Sequence, residues 1–423
     1  MRQLLTVDQA CQKLLAVFSP LEQTTIALNE AGGRILALDV ASEIDLPLFS
    51  NSSMDGFAVR AADVARAISE DPVELEVVAD VPAGRVSPVG IESGQAVRIM
   101  TGAPMPPGAD AIVPIEDTDQ YSQGKPIDNT LPKRINVNRA VNSGDYVRPQ
   151  GQDVRSGETV LYRGVQLRPQ DLGLLAMLGI SQVPVFNKPK IALLSTGDEL
   201  IPVEQPLSPG KIHDSNAYTL SAQIQRDGAE CINLGIVPDR QAAVEEALEQ
   251  AHSSRVDLIL SSAGVSVGAF DFVRTVVEIN GAIEFWRVNM RPGKPLTFGN
   301  YKAVPFIGLP GNPVSAFVGY EVFVLPAIRK LSGVKDLART RFRVRLEDPI
   351  ESDGRESYLR AIVSNADGDL RGRLTGHQGS GNLLSLVQAN ALLIIPSGVK
   401  SLPANAEVDA WLLDGDPEVT LNG

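Results

Sequence analysis

Residues 256–273 read VDLILSSAGVSVGAFDFV. The first five, Val256-Asp257-Leu258-Ile259-Leu260, make a short apolar run of the kind required by a strand buried on both faces. Residues 261–268 are mostly small, so the backbone can approach a ligand closely. Asp271 opens a segment in which Phe272, Val273, Val276 and Val277 recur at helical spacing. A strand, a small-residue loop and a helix start together leave free N–H groups where an anion can meet them. An ordinary turn between strand and helix has the same outline, so the choice rests on the neighbouring segments.

Those neighbours repeat the pattern. Residues 191–194 form another buried run, and Asp214 can cap a helix carrying Ala217, Leu220, Ala222 and Ile224 that ends at Gly228. Residues 231–236 read as a strand, and Asp239 can cap a helix with Ala243, Val244, Ala247 and Leu248. A strand near 304–307 precedes Asn312-Pro313, a capping side chain followed by a proline at the first helical position. This alternation predicts a doubly wound parallel sheet with ligands outside the carboxyl ends of its strands.

The flanking regions differ. Thr6 with Gln9 forms a capping box for a helix ending before Pro20, and residues 34–38 look like a strand. From 46 to 167 short apolar runs are broken by Gly, Pro, Asn and Asp, as in an irregular, mainly-β lobe. Beyond Gly333, residues 342–346, 358–363, 391–395 and 408–413 read as strands of a small β-barrel-like domain. The expected division is 1–178 for the N-terminal lobe, 179–333 for the α/β domain and 334–423 for the C-terminal β domain.

The chain has 423 residues, with Lys+Arg 38 against Asp+Glu 51 and a net charge of −13, which argues against a general nucleic-acid binder. Two cysteines (Cys11, Cys231) and three histidines (His213, His252, His377) lie far apart, in no zinc, haem or iron–sulfur spacing. Any metal would be a hard cation held by carboxylates and ligand oxygens. With no secretory leader and no 18-residue apolar run, a cytoplasmic protein with no membrane partner is expected.

Three strand-end loops share one chemical character. They are Ser195-Thr196-Gly197-Asp198-Glu199, then Ser262 with Gly264, Ser266, Gly268 and Asp271, then Pro310-Gly311-Asn312 running to Ser315. On one edge of a parallel sheet they would line a crevice with backbone donors, hydroxyls and carboxylates, suited to a phosphate and a hard cation. Between the last two loops, Arg287, Arg291 and Lys294 place three cations within eight residues that include no acid. A lone charged pair would be a solvated face, but this set beside Pro-Gly and Lys-Pro predicts a fixed anion-binding loop. Asp214 and Asp239 have a structural explanation as caps; Asp198, Glu199 and Asp271 do not. Asp55 and Thr101 sit in polar glycine loops that alone would be turns. Gly264 to Gly268 also match G-x-S-x-G, but a serine hydrolase would have only His377 as base, in the terminal β region, and three residues intervene between strand and glycine. Neither a Walker A motif nor G-x-G-x-x-G occurs.

With these loops in view, the chain resembles the MoeA-type molybdopterin molybdenumtransferases, the family that includes the C-terminal domain of gephyrin. The matching segments are SSMDGFAV (52–59), IMTGAPMPPGADAIV (99–113), STGDEL (195–200), GKIHDSN (210–216), AGVSVGAFDF (263–272), RPGKP (291–295), GLPGNPVSA (308–316) and TGHQGS (375–380), in the family's order. The resemblance implies a homodimer of four subdomains whose α/β domain binds molybdopterin. The implied reaction takes adenylylated molybdopterin and molybdate, inserts the metal and releases AMP, with Mg²⁺ required. Carried over by motif, the functional acids are Asp55, Asp153, Glu199, Asp239 and Asp271, with the Thr101 hydroxyl. Glu199 and Asp271 would hold the metal, and Arg287, Arg291 and Lys294 the molybdate or phosphate. The remaining strand-end residues, Asp214 included, would contact substrate. Arg287 and Arg291 stand where some relatives carry lysine, and Ala263 where relatives often carry glycine. A contact with the molybdopterin adenylyltransferase is a further expectation. The alternatives are that adenylyltransferase activity itself, disfavoured by the long first lobe and the C-terminal domain, and a non-catalytic gephyrin-like scaffold, disfavoured by the motif acids and the basic loop.

Overall fold

The structure, a computed structural model, describes residues 4–121, 130–263, 272–366 and 368–413. The chain divides into two compact units. The larger holds Met1–Leu38, Gly164–Leu172 and Ser181–Gly423, and the smaller holds Asp39–Arg163 and Gly173–Ile180.

The larger unit opens with helix α1 (Val7–Ala16), whose Thr6–Gln9 capping box forms as its sequence requires. Its α/β sheet contains β1 (Lys190–Thr196), β2 (Glu230–Val237), β3 (Leu258–Ser262), β4 (Gly281–Arg287), β6 (Pro295–Tyr301) and β7 (Val304–Leu309), with the two-residue β5 (Met290–Arg291) lying outside it. The order is β2-β1-β3-β7-β6-β4, and β2, β1, β3 and β7 run parallel. Helices α2 (Ser215–Arg226), α3 (Gln241–Ser253), α4 (Phe272–Asn280), α5 (Pro313–Gly319) and α6 (Leu325–Leu331) complete the domain. Alternate residues of each strand feed opposite cores. Ile191, Leu193, Leu258 and Leu260 join the α2 residues Leu220 and Ile224 and the α1 residues Ala10 and Leu14. Ala192, Leu194 and Ile259 join Val244 and Leu248 of α3 and Val273 and Val276 of α4. Each buried Leu or Ile contributes roughly 2–3 kcal/mol, and this two-sided burial is why the strands read as unbroken apolar runs.

The sheet is not wholly parallel. β6 pairs antiparallel with β7, and β4 antiparallel with β6. The β6–β7 hairpin turns at Lys302 and Ala303, both at positive φ (44° and 70°). Asn-Gly or Asp-Gly normally announces such a turn, and their absence hid the hairpin from sequence. Residues 34–38 also differ from expectation. Ile35 bridges Gln166 while Leu36 bridges Val185, so the segment passes between two partners and builds a ladder with neither.

Strands β8 (Phe342–Leu346), β9 (Glu356–Ala366), β10 (Asp369–Leu374), β11 (Ala391–Ile395) and β12 (Glu407–Leu412) run in the order β9-β10-β8-β12-β11. β11 pairs back onto β9, which closes the sheet into a barrel. β5 adds to its edge in parallel, with Met290 opposite Glu356 and Arg291 opposite Ser357. The basic loop is thereby fixed to the barrel wall. Tyr358, Leu392, Ile394 and Trp411 extend the core that contains α1 and the α/β sheet.

The smaller unit is built on a five-stranded mixed sheet in the order Ala111–Pro114, Gly56–Val59, Gln95–Ile99, Val73–Val81, Arg134–Val137. Phe57, Leu75 and Ile135 fill one of its cores, and Ala58, Val97 and Ile99 another. Loops joined by short two-residue pairings surround it, among them Asn51–Ser52 with Val147–Arg148, in keeping with an irregular, mainly-β lobe.

Candidate active site

The carboxyl ends of β1, β3 and β7 open onto one cleft of about 450 Å³ in the larger unit. Thr196 and Glu199 reach it from β1, Asp214 and Asn216 from the start of α2, Ser262 and Ala263 from β3, and Pro310, Gly311 and Asn312 from the turn after β7. Sequence reasoning passed over Asn216. Its side-chain amide donates to Ser262 Oγ and to the Gly311 carbonyl, each at 2.8 Å, and ties the ends of β3 and β7 to the start of α2. Its place in GKIHDSN, two residues past the Asp214 cap, was the available signal. Asp214 does cap α2, Oδ1 accepting from the Ala217 N–H at 3.0 Å. Its Oδ2 and the Thr196 hydroxyl are buried at the cleft wall without a hydrogen-bond partner among the described residues, as is Ser195 Oγ beneath them. Buried polar groups are seldom left unpaired, so these atoms mark a ligand-receiving surface.

Glu199 lies over Gly197. A Cβ on Gly197, whose φ is +148°, would stand 2.7 Å from Glu199 Oε2, so only glycine leaves the carboxylate its position. Asp198 accepts the Asp239 main-chain N–H at 3.2 Å, which brings a third acid alongside. Asp239 does not cap α3; the helix begins at Gln241 with Arg240 in the cap position and no side-chain bond there, because the Asp239 backbone is turned toward Asp198. Asn312 likewise precedes α5 without capping it, its amide donating instead to Ser380 Oγ at 2.9 Å. Ser315 is buried within α5.

Burial, with added repulsion from Asp198 and Glu199, raises the Asp239 carboxyl above its usual range. Lys211, which reaches this loop, donates to the Asp198 main-chain carbonyl and to neither carboxylate. A folded-state value above the unfolded one means the strain is absent below the usual carboxylate range, grows as pH rises through the shifted value, and is complete at neutrality. Asp239→Asn should therefore raise the melting midpoint at pH 7 by about 1 °C, a small effect because the group is partly solvated. The gain should vanish near pH 3.5, and thermal melts at both pH values check it. An unchanged or lower midpoint at pH 7 would remove the repulsion argument.

These oxygens fit a hard cation in chemistry and charge. Among the described residues, however, no three His, Cys, Asp or Glu form a ready-made metal cage. Gly264, Ser266, Gly268 and Asp271 lie outside the described residues.

Ala263 closes the described part of the β3 loop at φ 73°, the left-handed region that costs a Cβ-bearing residue about 1–2 kcal/mol. Ala263→Gly should accordingly stabilise the chain by about 1 kcal/mol, read as a shift in denaturant midpoint at constant slope. A destabilised variant would mean that the methyl group's packing outweighs the strain.

The cations occupy different settings. Arg287 stacks on the Trp286 ring, 3.8 Å from its centroid. Arg291 stands 4.0 Å from Asp353, a long and partly solvated pair. Lys294 is exposed, one residue before the cleft-lining Pro295. A fourth cation was missed. Arg360 of β9 is fully buried at 0% exposure, donating from Nε to Ser385 Oγ at 3.1 Å and from Nη2 to the Gly379 carbonyl at 2.9 Å. No carboxylate accepts from it in these contacts, and burial together with the Arg291 charge pulls its pKa down to about 10. The loop it grips continues to Ser380, which bonds Asn312 at the cleft.

In the smaller unit, Asp55 and Thr101 are brought together, the Thr101 N–H and hydroxyl both donating to Asp55 Oδ1 at 2.7 Å. Asp153 pairs with Arg148 at 2.6 Å. Asp55, Thr101, Arg148 and Asp153 are all exposed.

Comparison with known proteins agrees with this geometry. Residues 5–179 match the model of the MoeA N-terminal region (domains I and II), 192–330 that of a probable molybdopterin-binding domain, and 343–413 that of the MoeA C-terminal region (domain IV). A molybdopterin molybdenumtransferase from a Nostoc species is 40% identical over 390 residues, 90% of this chain and 87% of that protein. The chain belongs to the MoeA family. Another family member, the Haemophilus influenzae molybdopterin molybdenumtransferase, is 37% identical over 93% of this chain and 94% of its own length. The crystal structure of a molybdopterin biosynthesis MoeA protein from Pyrococcus horikoshii superposes with a TM-score of 0.81 at 32% identity, covering 97% of this chain and all of that one. Among the described residues no helix is long and apolar enough to cross a membrane.

Proposed function

We propose that this MoeA-family chain is a molybdopterin molybdenumtransferase, which takes adenylylated molybdopterin and molybdate, releases AMP and yields molybdenum cofactor. The observation that carries this reading is the cleft itself, where orphan buried hydroxyl and carboxylate oxygens meet an adjoining loop of cations whose one acid pairing among the described residues, Arg291 with Asp353, is long at 4.0 Å. Thr196, Asp214, Ser262 and the Gly311 turn bind and orient the pterin and its phosphates. Asn216 holds the ends of β3 and β7 against the start of α2. Glu199, raised over Gly197, supports cleavage of the adenylyl–phosphate bond. Glu199 and Asp271 would hold Mg²⁺, which would supply positive charge to the phosphates. Arg291 and Lys294 receive the molybdate dianion, with Arg360 behind them as a buried cation. Asp55, Thr101, Asp153 and Asp239 serve as further substrate-positioning groups, and Arg287 as a further anion contact. We also propose a homodimer, a cytoplasmic location and the three-part division at 178 and 333.

The deciding experiment supplies adenylylated molybdopterin with molybdate, with tungstate, or with neither, and measures AMP. Oxyanion-dependent AMP release is expected. Consumption of ATP with free molybdopterin would instead make the chain an adenylyltransferase, and AMP formation in neither assay would leave a scaffold.

A further inference from the structure

A second cavity, of about 570 Å³, lies at the opposite end of the α/β domain from the cleft. The chain entering β1 and the last turn of α2 line it, whereas the cleft takes the end of β1 and the first turn of α2. Twelve residues of helix separate the two ends by roughly 18 Å. The two cavities share no residue.

In a chain of net charge −13, this wall carries four cations, Arg34, Lys188, Arg226 and Arg329, against two carboxylates, Asp227 and Asp336. Arg226 is committed to Asp227 and Glu321. Asp227 also accepts from Tyr320 Oη at 2.8 Å, and Asp336 from the Ala338 N–H at 3.2 Å. The other three cations are differently placed. Arg34 donates from Nη2 to the Phe186 carbonyl at 2.8 Å, and Arg329 from Nη1 to the Ala338 carbonyl at 2.5 Å. These partners are neutral and engage one nitrogen of each guanidinium. Lys188 is exposed at the rim. Burial lowers the pKa of Arg34, and burial with the Arg339 charge lowers that of Arg329 despite the opposing charges of Asp227, Asp336 and Glu321, so each charge keeps a desolvation cost that a bound anion would offset.

We infer that this cavity binds a phosphomonoester, its phosphate gripped by Arg34 and Arg329 with Lys188 as a point charge, and its organic body filling the remaining volume. Guanidinium forks are matched to tetrahedral oxyanions, and the volume is in the range of small-ligand pockets. The inference stands apart from the activity assigned to the cleft.

The test titrates inorganic phosphate into the full chain in phosphate-free buffer, followed by calorimetry and ³¹P line broadening. An Arg291→Gln/Lys294→Gln chain removes the competing oxyanion loop of the cleft and should retain saturable phosphate binding. Adding Arg34→Gln to it should weaken that binding at least tenfold with an unchanged ligand-free melting curve. The inference is overturned if the cleft double variant loses all phosphate binding, or if Arg34→Gln leaves affinity unchanged. Should Arg34→Gln fail to fold, Lys188→Gln, an exposed change at the rim, decides: a threefold or greater loss of affinity supports the site, and no loss overturns it.

Discussion

Glu199→Gln is expected to slow molybdate-dependent AMP release by about 10²–10³-fold, while substrate affinity changes by less than about threefold. The substitution keeps shape and volume and removes only the charge. The local fold does not depend on that charge, because the hydrogen bonds that set the turn run through the main chain: the Leu200 N–H to the Gly197 carbonyl at 3.0 Å, and the Ile212 N–H to the Glu199 carbonyl at 2.8 Å. A normal melting curve with lost turnover would therefore locate the defect in chemistry. Gly197→Ala supplies an independent arm. Its methyl group would displace the Glu199 carboxylate while leaving the acid in the chain, so turnover should fall with Glu199 intact. Single-turnover measurement of AMP separates either effect from product release. A Glu199→Gln chain that releases AMP at the normal rate would take Glu199 out of the reaction.

The parts of this protein that were legible in sequence are those where one physical constraint dominates. Burial on both faces turned β1 and β3 into apolar runs, and the Asp214 cap and the Thr6–Gln9 box are local hydrogen-bond patterns that tertiary structure leaves intact. Legibility failed where a residue's partner is remote in sequence. Asp239 and Asn312 have the right chemistry for caps, yet Asp198 and Ser380 draw them elsewhere, over separations of 41 and 68 residues. The Lys302–Ala303 turn lacked its usual residues, and neither β6 nor β4, the antiparallel edge of the sheet, was read as a strand. Within the site, the acids and the basic loop stood out because charge beside glycine and proline is unusual. Asn216 and Arg360 did not, since a lone amide at a helix start and a lone arginine in a strand are common on surfaces, and only burial distinguishes them here.

Arg360 carries the other large expectation. A shift from 12.5 to about 10 corresponds to roughly 3 kcal/mol of strain on the charged form, within the range known for buried ions without a counter-charge. Replacing it with methionine removes that cost. The Gly379 carbonyl it abandons is only partly buried and can take water, and Ser385 Oγ keeps its bond to the Asn382 carbonyl at 2.7 Å. Arg360→Met should therefore fold with a ligand-free melting midpoint no lower than that of the unmodified chain. Function should move the other way. If the guanidinium is held charged to meet an oxyanion, saturating molybdate should raise the melting midpoint of the unmodified chain and leave that of Arg360→Met unmoved, with AMP release reduced about 100-fold or more. Arg360→Lys, which keeps the charge but loses the fork, should recover only part of the molybdate response. A purely structural arginine predicts the reverse pattern: a lower ligand-free midpoint in Arg360→Met, and a molybdate-induced shift of unchanged size.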